Sequence, residues 1–116
     1  MIYPITPVTK PRQTRSDKWK QRLAVMRYRA FADECRMRKV KLPECGTWII
    51  FHIPMPASWS KKKRAEMDGQ PHQQTPDKDN LEKALLDSIY KNDSVVWDSR
   101  VTKLWAQSGA IEIKPI

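Results

Sequence analysis

The segment Thr47-Trp48-Ile49-Ile50-Phe51-His52-Ile53 constrains the fold of this chain more than any other. Its β-branched and aromatic side chains occupy both parities, as in a strand buried on both faces, which needs neighbouring strands and a covering layer of helix. Pro43 and Gly46 before it and Pro54 and Pro56 after it set its limits. On either side the hydrophobic period changes from two to that of a helix. From Ser16 or Asp17, both good N-caps, Ala24, Tyr28, Phe31 and Cys35 step by four, three and four and share one face. The pairs Arg29/Asp33 and Glu34/Arg38 at i,i+4 support that helix. A second helix is predicted from near Asp79 to Tyr90, with Leu81, Ala84, Leu85, Ser88 and Ile89 on its inner side.

Around this centre, residues 2–8 carry two prolines and suit a short edge strand, and residues 9–18 read as loop. A polar stretch covers residues 57–74, and Val101 to Gln107 with Ala110 to Ile116, split by Ser108-Gly109, predict a terminal β-hairpin. The order is β-α-β-α-β-β with a long polar loop before the second helix. It describes an α/β fold in one small domain over residues 1–116, a mixed β-sheet with packed helices.

No uninterrupted apolar run, Trp48 to Phe51 included, comes near the roughly 20 residues of a membrane-spanning helix, and no apolar h-region follows Met1. A soluble, unexported, cytoplasmic protein without a membrane partner is expected. Cys35 and Cys45 form neither a disulfide framework nor a close metal-binding pair, and are expected to be reduced core thiols.

The formal net charge of +9 is unevenly spread. Residues 10–41 hold twelve Lys/Arg against three acids, while residues 76–98 hold six acids against three bases. A polyanion drawn to the first stretch is delivered to the second, so nucleic acid is the natural partner. Candidate DNA contacts are Lys10, Arg12, Arg15, Lys18 and Lys20, together with Lys61, Lys62, Lys63 and Arg64 in what reads as a mobile basic loop beside Trp59. Any one of these taken alone is better read as a solvated surface residue; the sum carries the reading.

The acidic stretch contains Pro76-Asp77-Lys78-Asp79-Asn80-Leu81-Glu82-Lys83. Asp77 and Asp79, two apart where loop becomes helix, can aim both carboxylates one way and attract a hard cation. Magnesium commonly takes one or two carboxylates and completes its shell with water and phosphate oxygens. Such an ion serves phosphoryl chemistry. Lys83, one turn after Asp79, can neutralise charge in the transition state, and Asp87 continues that face. The competing structural reading makes Asp79 and Glu82 a capping box. A calcium loop is excluded because Leu81 stands at a ligand position and Glu82 where glycine is required. His52 and His72 have no neighbouring ligand at zinc spacing; His52 reads as a packed core residue.

The run Pro-Asp-Lys-Asp-Asn-Leu-Glu-Lys-Ala-Leu-Leu-Asp, with Asp98 eleven positions after Asp87, resembles the RusA family of Holliday junction resolvases, crossover junction endodeoxyribonucleases with the signature P-D-x-D-N-L-x-K-x-x-x-D and a later Asp. Thr-Lys-Pro-Arg near the start and Met-Pro-Ala-Ser-Trp-Ser-Lys-Lys-Lys before the loop resemble phage and prophage members, so the likeness extends over nearly the whole chain. It implies a homodimeric, Mg2+-dependent endonuclease, with Mn2+ as a substitute ion, that nicks paired strands of four-way DNA junctions in recombination and repair and has no small-molecule substrate. It further implies Asp77, Asp79 and Asp98 as metal ligands and Lys83 as the catalytic lysine. Asp87 matches a family position without an assigned role, and Arg100 is a departure that bears on DNA contacts alone. A dimer fits a roughly two-fold symmetric junction, and Trp19, Trp48, Trp59, Trp97 and Trp105 supply apolar area for one to share.

Two alternatives stand beside it. Pro76-Asp77 with Glu112-Ile113-Lys114 imitates the P-D…E-x-K pattern of restriction-type nucleases but leaves Lys83 and Asp98 unexplained. A non-catalytic basic DNA-binding or architectural protein would treat the carboxylates as caps and surface charge.

Overall fold

The computed structural model describes residues 1–11 and 18–116, and only the backbone of Lys18, Lys20 and Gln21. The expected N-caps Ser16 and Asp17 and the candidate DNA contacts Arg12 and Arg15 lie outside the described residues, as do the side chains of Lys18 and Lys20. The elements are β1 (Ile2–Tyr3), α1 (Lys18–Met37), β2 (Thr47–Pro54), α2 (Lys61–Met67), α3 (Lys78–Ile89), β3 (Ser99–Ala106) and β4 (Ala110–Pro115), with a 3-10 turn at Asp93–Val95. They form an α/β domain around a mixed four-stranded sheet in the order β1-β4-β2-β3.

β2 takes the central place its composition requires. It runs parallel to β3, from Thr47↔Ser99 to Pro54↔Ala106, and antiparallel to β4, from Thr47↔Pro115 to His52↔Ala110. Ile49, Phe51, Ile111 and Ile113 on one face pack with Phe31 and Cys35 of α1 and Leu81, Ala84 and Leu85 of α3. The alternate residues turn to the other face and meet one another. Trp48 Nε1 donates to Thr102 Oγ1 at 2.9 Å, the Arg100 and Lys114 cations stand 4.3 and 4.4 Å from the Trp48 ring, and His52 Nε2 lies 3.1 Å from Glu112 Oε1.

The expected terminal hairpin is not formed, because β2 lies between β3 and β4. A strand apolar on both faces is best covered with a neighbour on each side, and a β3–β4 hairpin would have denied it one of them. Pro54 ends β2, and residues 107–109 cross its end to carry the chain over two strand spacings, about 9.6 Å. Gly109 is used there for close approach: a Cβ would stand 2.5 Å from Thr6 Oγ1 and 2.7 Å from Thr6 Cα. The parallel β2–β3 connection carries α2 and α3, a βαβ crossover.

Four further expectations are corrected. The basic run beside Trp59 is helix α2, not a mobile loop, capped by Ser60, whose Oγ accepts from the Lys63 N–H at 3.2 Å. Cys45 is exposed, and only Cys35 is a core thiol. His52 is half-exposed and paired with Glu112 instead of packed in the core. Asp33 pairs with Arg36 at 3.1 Å, while Glu34 and Arg38 pair as expected at 3.0 Å. α1 closes in a Schellman turn, Val40 N–H to Cys35 O at 3.0 Å and Lys39 N–H to Arg36 O at 3.1 Å, with Lys39 at φ 53° where glycine is usual. The edge position of β1, antiparallel to β4, agrees with its prolines, although only two residues join the sheet.

Candidate active site

Three elements build the site: the loop over residues 69–76, helix α3 that it leads into, and the 3-10 turn beyond that helix. The loop lies along the outer edge of β3, fixed by Gly69 N–H to Trp105 O at 2.8 Å, Trp105 N–H to Gln70 O at 2.9 Å and His72 N–H to Lys103 O at 3.0 Å. His72 is thereby buried against the Trp105 ring, centroids 4.3 Å apart, and burial pushes its pKa down.

Asp77 is the N-cap residue of α3, with extended backbone at φ −70° and ψ 150°, yet its side chain makes no capping hydrogen bond. Asp79 sits in the first helical turn. The capping-box alternative fails on two counts. Asp79 is not the cap, and Glu82 Oε2 accepts from Ser99 Oγ at 2.5 Å instead of returning to the helix start. Asp77 and Asp79 line one open groove of about 650 Å³ with Gln74 and Lys103. Neither carboxylate is engaged in a hydrogen bond or ion pair among the described residues, while the α3 N-terminus favours negative charge beside it.

Lys83 lies one turn further along α3. Its Nζ is 2.9 Å from Asp93 Oδ2 and 3.6 Å from Asp87 Oδ2, and Asp87 also receives Lys10 Nζ at 3.0 Å. The hydrogen bond to Asp93, followed by the charge of Asp87, raises the Lys83 pKa, and the same hydrogen bond lowers that of Asp93. Lys83 is therefore held protonated. Asp87, unassigned from the sequence, here joins Lys83 to the N-terminal segment through Lys10.

Asp98 takes a different place, at the start of β3, where Oδ2 accepts from the Gly46 N–H at 3.1 Å. Gly46 has φ 66°, which glycine alone adopts freely, so Asp98 ties the beginning of β2 to that of β3. Among the described residues no three His, Cys, Asp or Glu side chains stand close enough to hold one metal ion. The structure thus brings Asp77 and Asp79 to one groove and gathers Asp87 and Asp93 about Lys83. Asp93 is the acid missed from the sequence. Its one signal is Asn92-Asp93-Ser94, a turn in which the Asn92 side chain accepts from the Ser94 N–H at 3.1 Å and directs Asp93 back toward α3.

The restriction-type alternative loses its geometry. Glu112 lies on β4 with its side chain on the Trp48 face, two strands inward from the edge where the loop before Asp77 is attached, and it is occupied by His52. Of the basic candidates, Lys61, Lys62 and Lys63 are exposed on α2, with Lys63 Nζ 4.2 Å from the Trp59 ring. Arg64 is tied to Gln107 Oε1 at 3.3 Å and the Pro56 carbonyl at 3.2 Å, and Lys10 to Asp87.

No curated protein matches the chain. The family model described as endodeoxyribonuclease RusA matches residues 4–114 of the 116, and with the geometry above this places the chain in the RusA family of endodeoxyribonucleases.

Proposed function

We propose that this nuclease is a Mg2+-dependent enzyme that resolves four-way DNA junctions by symmetric paired nicks, acting as a homodimer in recombination and repair. The carrying observation is the pair of carboxylates, Asp77 and Asp79, unengaged among the described residues, on one open groove at the start of α3. Their donor set is all hard oxygen, which suits magnesium, and Mn2+ in its stead, better than zinc. Asp77 and Asp79 would hold the ion, and when bound it supplies Lewis-acid polarisation of the phosphate. Asp98, the third acid of the motif, would complete the donor set; its carboxylate accepts one hydrogen bond, from the Gly46 N–H, whereas that of Asp93 is occupied by Lys83.

The chain's own groups divide the remaining work. Lys83, kept protonated by Asp93 and Asp87, offers positive charge to the phosphorane-like transition state. Lys61, Lys62 and Lys63 on α2 offer phosphate contacts to the DNA arms. Two equivalent strands of a junction require two equivalent sites, which a symmetric dimer provides, and Trp19 and Trp97 are exposed apolar surface. No helix among the described residues is long and apolar enough to cross a membrane. We place the protein in the bacterial cytoplasm, encoded by a phage or prophage, where its substrate lies.

The test is cleavage of an end-labelled four-way junction beside a linear duplex of the same sequence, with wild type and Asp79→Asn. The reading expects nicked duplexes from the junction in Mg2+, little product from the linear DNA, and binding without cleavage by the variant. Equal cutting of both DNAs rejects junction selectivity. Tight junction binding that yields no product at any Mg2+ concentration supports the non-catalytic DNA-binding alternative.

A further inference from the structure

Lys103 belongs to no motif, yet its side chain is tied to two backbone carbonyls. Its strand, β3, is a rigid platform, paired with β2 at every position from Ser99 to Ala106. The loop over residues 69–76 follows the outer edge of that strand by backbone hydrogen bonds only as far as His72. Beyond His72, residues 73–76 make no backbone–backbone hydrogen bond among the described residues. There the Lys103 ammonium takes over, donating to the Gln74 and Pro76 carbonyls at 2.7 Å each. Pro76 immediately precedes Asp77, and Lys103, Asp77 and Asp79 line the same groove.

We propose that Lys103 is a positioning residue: by bridging the Gln74 and Pro76 carbonyls it fixes the Asp77 carboxylate where it can share a divalent ion with Asp79. The proposal rests on the metal-binding role given to these two acids above. A charge-assisted donor spanning two carbonyls holds a short loop that the sheet ladder does not reach, and Asp77 inherits its direction from that loop. The ammonium is partly desolvated, which lowers its pKa, while the nearby Asp77 charge acts to keep it protonated.

The sign of one measurement separates positioning from mere proximity of charge. A positive group that did nothing but stand near Asp77 would repel a divalent ion, so its removal would tighten metal binding. A positioning residue gives the opposite sign, since residues that orient metal ligands typically carry tenfold to hundredfold in affinity. Mn2+ alone is titrated into the full-length protein without DNA and free ion is followed by electron paramagnetic resonance. Lys103→Met is expected to weaken Mn2+ binding about tenfold or more, and Lys103→Arg, which can reach both carbonyls, to bind within about threefold of wild type. Asp77→Asn with Lys103→Met should bind no more weakly than Asp77→Asn alone.

Backbone 15N order parameters over residues 73–79 should fall in Lys103→Met and not in Lys103→Arg. If Lys103→Met does not fold, Lys103→Gln, with one donor kept, takes its place in the same measurements. Unchanged or tighter Mn2+ binding in a folded variant, or unchanged order parameters over that loop, overturns the proposal. If wild type itself binds no Mn2+, the metal reading fails on its own and the positioning role falls with it. If wild type binds and Lys103→Met binds equally, the positioning role alone fails.

Discussion

Asp93→Asn and Asp98→Asn each remove one carboxylate charge at positions five apart in sequence and held by different partners. At position 98 an asparagine oxygen can still accept the Gly46 N–H, now at 3.1 Å, so the link between the starts of β2 and β3 survives. At position 93 the side chain keeps its shape but loses the charge that sits 2.9 Å from Lys83 Nζ. Both replacements are surface changes of equal volume, so each variant should melt within about 3 °C of wild type. Activity should separate them widely. Loss of a metal-binding carboxylate charge at a phosphoryl-transfer site costs on the order of 10²- to 10³-fold in rate, so Asp98→Asn should fall by at least about a hundredfold, and Asp93→Asn, which loses an exposed ion pair with Lys83, by no more than about threefold. The assay is single-turnover cleavage of a labelled junction at fixed Mg2+, repeated across pH. Because Asp93 is the largest cause of the raised Lys83 pKa, its replacement should also move the alkaline limb of the profile to lower pH in whatever activity remains. The reverse order, with Asp93→Asn dead and Asp98→Asn active, refutes this reasoning and moves the third acid to Asp93.

Three other outcomes test the fold. Gly109→Ala places a methyl 2.5 to 2.8 Å from Thr6 atoms, backbone Cα included, and should cost about 1–3 kcal/mol, read as a lower melting temperature. Lys39→Gly relieves a left-handed backbone at the end of α1 and should stabilise the fold by about 1 kcal/mol, read as a higher urea midpoint at an unchanged m-value. The pKa of His72 is lowered in the folded chain, so the unfolded chain binds more protons near the ordinary histidine range and stability falls as pH drops through it. His72→Phe should flatten the melting temperature between about pH 7.5 and 5.5.

Much of the architecture was legible because it follows from local patterns. The two-sided hydrophobicity of Thr47–Pro54 dictates a central strand, and the four-three-four stepping of α1 and the inner face of α3 dictate which side of each helix meets it. What pairs with what was not legible. Ser108-Gly109 has the chemistry of a hairpin turn, but the demand of β2 for two neighbours decided the topology, and Gly109 serves the approach of Thr6. The stretch Lys61–Met67 has no buried face, so no hydrophobic period announced helix α2, and its Ser60 cap was the one local sign.

The site divides in the same way. Asp77, Asp79 and Lys83 are contiguous, so motif and helical spacing suffice to place them together. Asp93 and Lys103 come from beyond the helix and from an edge strand, and only the fold returns them to α3 and to the loop before it. The motif named Asp98 and did not mark Asp93; only the fold shows Asp93 turned toward Lys83 and Asp98 toward Gly46.

The most direct test of the account is the position of a bound divalent ion. Crystals grown with Mn2+, at a concentration that supports junction cleavage, should show an anomalous peak about 2.0–2.4 Å from carboxylate oxygens of both Asp77 and Asp79. A fully occupied Mn2+ elsewhere, with these two carboxylates free of metal, would contradict it.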